Sequence, residues 1–191
     1  MKLYKTATLA AAVMMIAGAA FAAPLKLKPA SPQPSGLKSG LAVKYAYPPD
    51  VKSLNQATRA LKRAKAGTPL KGLDYRDTAP GEKALTSKQE KHVAAAISGF
   101  VKFDSAGTYT IDFLTNDGLD ARIGGQEVGH FDGRQTCQET RAVEVEVPQA
   151  GWYPVEITYF QRVGTSCLLM RAGKGAPDWI CLLYTSPSPR D

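Results

Sequence analysis

Residues 106–129, AGTYTIDFLTNDGLDARIGGQEVG, decide the fold class of this chain. Residues 108–114 are rich in β-branched and aromatic side chains, which is typical of a strand, and Asn116-Asp117-Gly118 forms a turn signal directly after them. A second strand pattern at 119–123 ends at a Gly-Gly pair, and a short return strand covers 126–129. This succession of short strands and Gly-containing turns predicts antiparallel β-structure.

The same pattern continues on both sides of this stretch. The segments with strand character are residues 41–47, 92–103, 142–147, 152–160 and 166–172. One helix is predicted over residues 50–66, with Asp50 as its N-cap. Pro154 lacks a backbone N–H, so its strand is predicted to lie at a sheet edge or to be bulged. The sequence therefore predicts an all-β fold: a single β-sandwich of mostly antiparallel strands with one helix-containing N-terminal insertion.

The amino terminus has the three parts of a secretory signal peptide. Lys2 and Lys5 form a basic start, residues 6–19 are apolar, and Ala20-Phe21-Ala22 supplies the small-residue pattern of a cleavage site. The apolar run is shorter than the ~20 residues that a membrane-spanning helix needs. Residues 1–22 are therefore predicted to be a signal peptide. The mature chain is predicted to be exported, either to the periplasm or as a secreted protein, with no membrane span.

Composition divides the rest of the chain into three segments. Residues 23–36 are rich in Pro, Ser and Lys and are predicted to be an extended linker. The strand patterns lie within residues 37–179, which are predicted to form the domain. Residues 180–191 have no periodicity and resemble translated adapter sequence, so they are predicted to be a non-native tail.

Charge is distributed unevenly along the chain. The formal net charge is +7, but residues 23–91 hold 14 Lys and Arg against 5 Asp and Glu, whereas residues 92–179 hold 7 against 11. This asymmetry is typical either of a surface that binds a polyanion or of a solvated basic helix and linker, and the second interpretation is favoured. No nucleic-acid-binding motif accompanies the charge, so no nucleic-acid partner is predicted.

Cysteine and histidine usage indicates little metal chemistry. Cys137 and Cys167 favour a disulfide because exported chains rarely keep free thiols, although two separate buried thiols remain an alternative. His92 and His130 are predicted at the surface, since a Cys/His zinc site would need closer ligand spacing. The sequence has no nucleophile elbow, phosphate loop or dinucleotide fingerprint, and it is predicted not to be an enzyme.

Several of these segments together resemble the domain family named after the protective antigen of anthrax toxin. The resemblance is carried by GFVKFDSAGTYTI at 99–111, TNDG at 115–118, IGG at 123–125 and AGWYPVEITY at 150–159. GLAVKY at 40–45 is similar to the first strand of the family. The resemblance implies a β-sandwich shared with flocculin-like adhesins and glycosidase accessory domains, several of which bind carbohydrate.

The resemblance also implies where a ligand would bind. In the flocculin-like adhesins, two consecutive aspartates joined by a cis peptide hold a calcium ion that contacts sugar hydroxyls, and the matching pair here is Asn116-Asp117. The first residue of this pair carries an amide in place of a carboxylate. Calcium is therefore an open alternative, and no cofactor is certain. The predicted ligand-binding residues are Asn116, Asp117, Asp120, Gln161 and Arg162, with Asp117 and Asp120 as the metal ligands. The competing interpretation of Asn116-Asp117-Gly118 is a turn with no ligand.

Two hypotheses for function follow. The first is an exported, non-catalytic binding module for carbohydrate or a cell-envelope component. The alternative is a structural or protein-interaction domain with no small ligand, which would contact a protein partner through its basic N-terminal half.

Overall fold

Two β-sheets pack face to face and form most of the molecule. The structure, a computed structural model, describes residues 23–175 and 184–187. The strands are β1 (Leu25–Lys26), β2 (Leu37–Ser39), β3 (Ala42–Ala46), β4 (Lys65–Ala66), β5 (Asp74–Tyr75), β6 (Val93–Phe103), β7 (Gly107–Asn116), β8 (Gly118–Ile123), β9 (Gln126–Phe131), β10 (Gln138–Glu139), β11 (Val143–Val147), β12 (Gly151–Gln161), β13 (Cys167–Gly173) and β14 (Tyr184–Pro187). Helix α1 (Leu54–Leu61) lies between β3 and β4.

The strand order confirms the predicted sandwich. The first sheet runs β1-β11-β7-β13-β5, with β10 also paired to β7. The second runs β2-β14-β6-β12-β8-β9, with β3 beside β6 and β4 beside β3. The described strand pairs are antiparallel except β1 with β11, which is parallel. The fold is therefore an all-β sandwich of mostly antiparallel strands, as the sequence predicts.

Alternation along the strands builds the core between the sheets. On β7, Tyr109, Ile111 and Phe113 are buried at every second position, as the two-residue period of a strand requires. The ring of Phe103 packs edge-on against Tyr109 at 5.0 Å and against Tyr153 at 5.3 Å between centroids. Each such side chain stabilises the fold by about 1.5–3 kcal/mol through burial of apolar surface.

Helix α1 covers part of the outer face of the second sheet. Its buried residues Leu54 and Ala57 pack with Phe160 of β12 in a small cluster separate from the main core. The helix is shorter than predicted and its N-cap is Ser53, whose hydroxyl accepts a hydrogen bond from Gln56 N at 3.3 Å. Asp50 does not cap the helix because its carboxylate is engaged by Val51 N and by Arg162.

The segment predicted to be an extended linker, residues 23–36, packs on the sandwich. Strand β1 pairs with β11, and Leu27 is buried in the main core. Gln33 accepts a hydrogen bond from Trp152 N at 2.7 Å. The packed unit therefore begins before the predicted boundary at residue 37. Burial of the Leu27 side chain contributes about 1.5–3 kcal/mol to holding this segment on the sandwich.

The predicted signal peptide, residues 1–22, lies outside the described residues. Of the predicted non-native tail, 180–191, only β14 is described, and its backbone lies between β2 and β6 in the second sheet. The origin of the tail stays a prediction.

Strand β12 lies in the middle of its sheet, so the prediction of an edge position for Pro154 was wrong. β12 pairs with β6 along its whole length and with β8 from Val155 onward. The carbonyl of Pro154 accepts a hydrogen bond from Gly124 N at 2.9 Å, at the point where β8 ends. The nitrogen of Pro154 therefore faces β8 at the position where the pairing of β12 with β8 has ended. Its lack of an N–H costs no hydrogen bond of the ladder there.

Candidate ligand site at one end of the sandwich

The chain passes from one sheet to the other at Asn116 and Asp117. β7 ends at Asn116 in the first sheet, β8 begins at Gly118 in the second, and the Asn116–Asp117 peptide bond is cis. A side chain at Gly118 would not fit, since an added Cβ would lie 2.0 Å from the ring of Phe160. This crossing places both polar side chains at the rim of the sandwich.

Asp117 is buried and holds two loops together. Its Oδ1 accepts a hydrogen bond from Gln135 N at 3.2 Å, and its Oδ2 accepts one from Arg162 N at 2.8 Å. Burial raises the pKa of the Asp117 carboxyl, and the two backbone N–H groups together with the positive charges of Arg134 and Arg162 partly oppose that rise. These two backbone groups are distant in the sequence, so they are not the local side-chain-to-backbone bonds of a simple turn.

Asn116 has a buried acceptor in its side chain. Its Nδ2 donates to Thr165 Oγ1 at 3.3 Å, and its backbone carbonyl accepts a 2.5 Å hydrogen bond from the buried Tyr159 hydroxyl. Its Oδ1 is buried and accepts no hydrogen bond from the residues that the structure describes. Buried polar atoms are nearly always paired, so this oxygen needs a partner that the described residues do not supply.

Gln161 and Arg162 reach this region differently from the prediction. The buried Gln161 side chain donates from Nε2 to the carbonyls of Gly164 and Thr165 at 3.2 and 2.5 Å, so it shapes the 162–165 loop. Arg162 offers only its backbone N–H to Asp117. Its guanidinium instead pairs with Asp50, with 2.9 Å between Nε and Oδ1.

Three segments enclose an open depression of about 440 Å³ at this rim. The lining residues are Asn116, Asp117, Arg134, Gln135, Thr136, Val163, Gly164 and Thr165. Arg134, which is exposed, lines this depression and was not among the residues predicted from the sequence. Its place in a polar loop at a sandwich end was the available signal, since such loops carry binding in many folds of this kind.

A disulfide fixes the loop that carries Arg134. Cys137 and Cys167 are bonded, which confirms the favoured interpretation, and their Cα atoms are 5.8 Å apart. Cys167 is the cross-strand partner of Asn116. The bond therefore ties the end of the 132–137 loop directly beside the crossing between the sheets.

Asp120 does not lie beside Asp117, so the structure does not bring the two predicted metal ligands together. Asp120 lies opposite Thr158 on β12 and opposite His130 on β9, on the outer face of the second sheet. It lines a different depression from the one at Asp117. Leu119 between them is buried in the core, and strand alternation then turns Asp120 outward.

The residues at the rim do not fit a calcium ion. Calcium takes six to eight oxygen ligands and favours charged carboxylates. The lining side chains offer a single carboxylate, Asp117, and both of its oxygens already accept backbone N–H groups. Arg134 adds a positive charge to the same lining. The site is therefore suited to a neutral polar ligand without a metal.

Comparison with known proteins identifies the family. The model of the PA14 domain matches residues 38–189, and the chain belongs to this family. No curated protein sequence matches the chain. Three solved structures illustrate the shared fold.

The PA14 domain of the MpAFP antifreeze protein has a TM-score of 0.66 and 13% identity, covering 80% of this chain and 93% of that one. The PA14 sugar-binding domain of an RTX adhesin has a TM-score of 0.62 and 18% identity, covering 78% and 99%. The A domain of epithelial adhesin 6 from Candida glabrata, in complex with Galβ1-3GlcNAc, has a TM-score of 0.64 and 12% identity, covering 88% and 95%. At these identities the likeness establishes the fold alone.

Among the described residues, no helix has the length and apolar character that crossing a membrane requires.

Proposed function

We propose that this protein is an exported, non-catalytic carbohydrate-binding module that holds a sugar at the rim depression beside Asn116. The single observation that carries the proposal is the depression at the crossing between the sheets, which is lined by the polar side chains of Asn116, Arg134 and Thr136. The family supports it, and so do the RTX adhesin domain described as sugar-binding and the Candida adhesin domain in complex with a disaccharide.

The chemistry of the depression suits sugar hydroxyls. A hydroxyl both donates and accepts hydrogen bonds, so a sugar needs fixed acceptors and fixed donors close together. Among the lining residues, Asn116 and Gln135 carry side-chain amides that donate and accept, Arg134 is a donor, and Thr136 adds a hydroxyl that does either. Recognition in this proposal uses these groups and involves no metal.

A glycan-array screen of the disulfide-bonded exported chain tests the proposal, with hits then measured by titration calorimetry. We expect binding both with calcium and with a chelator. Asn116→Ala and Arg134→Ala should each weaken binding about tenfold, because each removes a hydrogen-bonding group worth about 1.4 kcal/mol. Arg141→Ala is the matched control, since Arg141 is an exposed arginine outside this depression.

The outcomes separate the alternatives. Binding that a chelator abolishes would contradict the metal-free mode of recognition. Wild-type affinity in both Asn116→Ala and Arg134→Ala would remove the site from this depression. If a folded sample binds no glycan on the array, the alternative function, a protein-interaction domain, would be favoured. Its contact surface would be Arg59, Lys62 and Arg63, which are exposed and form no ion pair among the described residues.

A further inference from the structure

A second cluster of polar side chains lies on the β8–β9 hairpin, away from the rim depression. Asp120, Glu127 and His130 each offer one ligand atom, and these atoms all lie within 4.8 Å of one another. Asp120 and His130 are direct partners across the ladder. His130 Nδ1 and Glu127 Oε2 are 3.8 Å apart. Imidazole nitrogen and carboxylate oxygens in one group are the ligand types of a divalent transition metal.

A β-bulge creates this juxtaposition. Glu127 and His130 are three positions apart, so in a regular strand their side chains would point to opposite faces. The ladder between β8 and β9 shifts register between Ala121 and Arg122 and leaves Val128 as the extra residue. Val128 and Gly129 are consequently both buried, whereas Glu127 and His130 are both exposed on the outer face with Asp120. Bulges commonly re-aim side chains at functional sites.

The charges around this cluster are compatible with a bound cation. One oxygen of Asp120, Oδ1, is buried yet accepts no hydrogen bond from the described residues. The guanidinium of Arg122 compensates the two carboxylates, with Nη2 at 3.3 Å from Glu127 Oε2 and Nε at 3.5 Å from Asp120 Oδ1. Arg122 is exposed. Its side chain can therefore swing into solvent when a metal ion takes over the compensating charge.

The geometry points to a zinc-class metal site formed by Asp120, Glu127 and His130. Zinc bonds to nitrogen and oxygen are about 2.0–2.2 Å long, so ligand atoms around a tetrahedral ion lie about 3.4 Å apart. Small rotations of three partly or fully exposed side chains close the present spacing to that value. Three protein ligands leave one position for water or an external ligand. Open depressions of about 420 Å³ beside Asp120 and about 570 Å³ beside Glu127 and His130 give access to it.

A calorimetric titration of the tag-free chain with ZnCl₂ tests this site. We expect one zinc ion per chain. His130→Ala and Glu127→Gln should each weaken binding about tenfold or more, since one of three ligands is lost, and Arg122→Ala should tighten it by removing the competing cation. Excess calcium should not displace zinc because imidazole is a poor calcium ligand.

Matched controls come from the same chain. His92 is the other histidine, and its φ of 54° is one that asparagine tolerates, so His92→Asn should bind zinc like the wild type. Asn116→Ala should also retain zinc binding, which keeps this result independent of the sugar site. A thermal melt provides the second readout: zinc should raise the Tm of the wild type and leave that of His130→Ala unchanged. Absence of wild-type binding, or loss of binding in His92→Asn with retention in His130→Ala, would overturn the assignment.

Discussion

At the scale of single residues, the pair of Arg162 and Asp50 connects the loop after β12 to the segment before α1. The hydrogen bond from the Arg162 guanidinium holds the pKa of the Asp50 carboxyl well below its usual range, with a smaller effect from Lys52. The same pair keeps the Arg162 side chain away from the rim depression, so that only its N–H reaches Asp117. One ion pair thus decides which part of Arg162 takes part in the candidate site.

This pair predicts a specific acid dependence of stability. A carboxyl whose pKa is depressed by folding contributes stability above its unfolded value of about 3.9, and the contribution is lost as pH falls through the folded pKa. We expect Asp50→Asn to lower the Tm near neutral pH, and we expect its difference from the wild type to shrink as pH falls below the unfolded value. Melts between about pH 2 and about pH 7 measure this. The exposed Asp104 provides the control: Asp104→Asn should follow the wild-type curve, and a curve for Asp50→Asn parallel to the wild type would contradict the prediction.

At the scale of elements, the disulfide joins the 132–137 loop to β13. Cross-linking a loop with a sequence separation of 30 residues restricts the unfolded chain and stabilises the fold by about 3–4 kcal/mol. The double variant Cys137→Ser/Cys167→Ser should lose about this free energy of unfolding, measured by denaturant titration. Because Arg134 lies in the tethered loop, sugar affinity should fall as well. Unchanged stability of the double variant would show that the native contacts alone fix the loop.

The elements also show what the sequence could predict. The strand patterns predicted the central strands well, since alternation of buried and exposed residues is local information that does not depend on the partner strand. Which strands pair with each other is not local information. For that reason the position of the Pro154 strand within its sheet was predicted wrongly. Asp120 was predicted to be a metal ligand together with Asp117 because the two residues lie close in the sequence. Its actual neighbours, Glu127 and His130, reach the same face only through a bulge, and a one-residue register shift of this kind leaves no clear signal in the sequence.

At the scale of the whole molecule, buried tyrosines extend from the main core toward both ends of the sandwich. Tyr159 bonds the backbone of Asn116 at the rim, Tyr153 bonds Gln149 O at 2.7 Å, and Tyr45 bonds Thr86 Oγ1 at 2.8 Å. Each hydroxyl has a hydrogen-bond partner while its buried ring fills the core. The sandwich therefore depends on these hydroxyls remaining protonated.

Burial makes the fold sensitive to alkali. Burial raises the pKa of Tyr45 to about 12 and raises those of Tyr75, Tyr153 and Tyr159. Above about pH 10 the unfolded chain loses these protons first, so the folded state binds more protons and the free energy of unfolding falls as pH rises. A shift of two units in one tyrosine corresponds to about 3 kcal/mol once both states are ionised. We expect the loss to begin near pH 10, at about the unfolded value.

Denaturant titrations between about pH 8 and about pH 12, with ultraviolet absorbance to follow tyrosinate, measure this loss. In Tyr45→Phe the free energy of unfolding should fall less steeply with rising pH, because phenylalanine keeps the ring and removes one titrating group. Tyr47→Phe is the matched control, since the neighbouring Tyr47 ring is exposed. If Tyr45→Phe and Tyr47→Phe lose stability with the same slope as the wild type, ionisation of the buried hydroxyl is not what unfolds the sandwich in alkali.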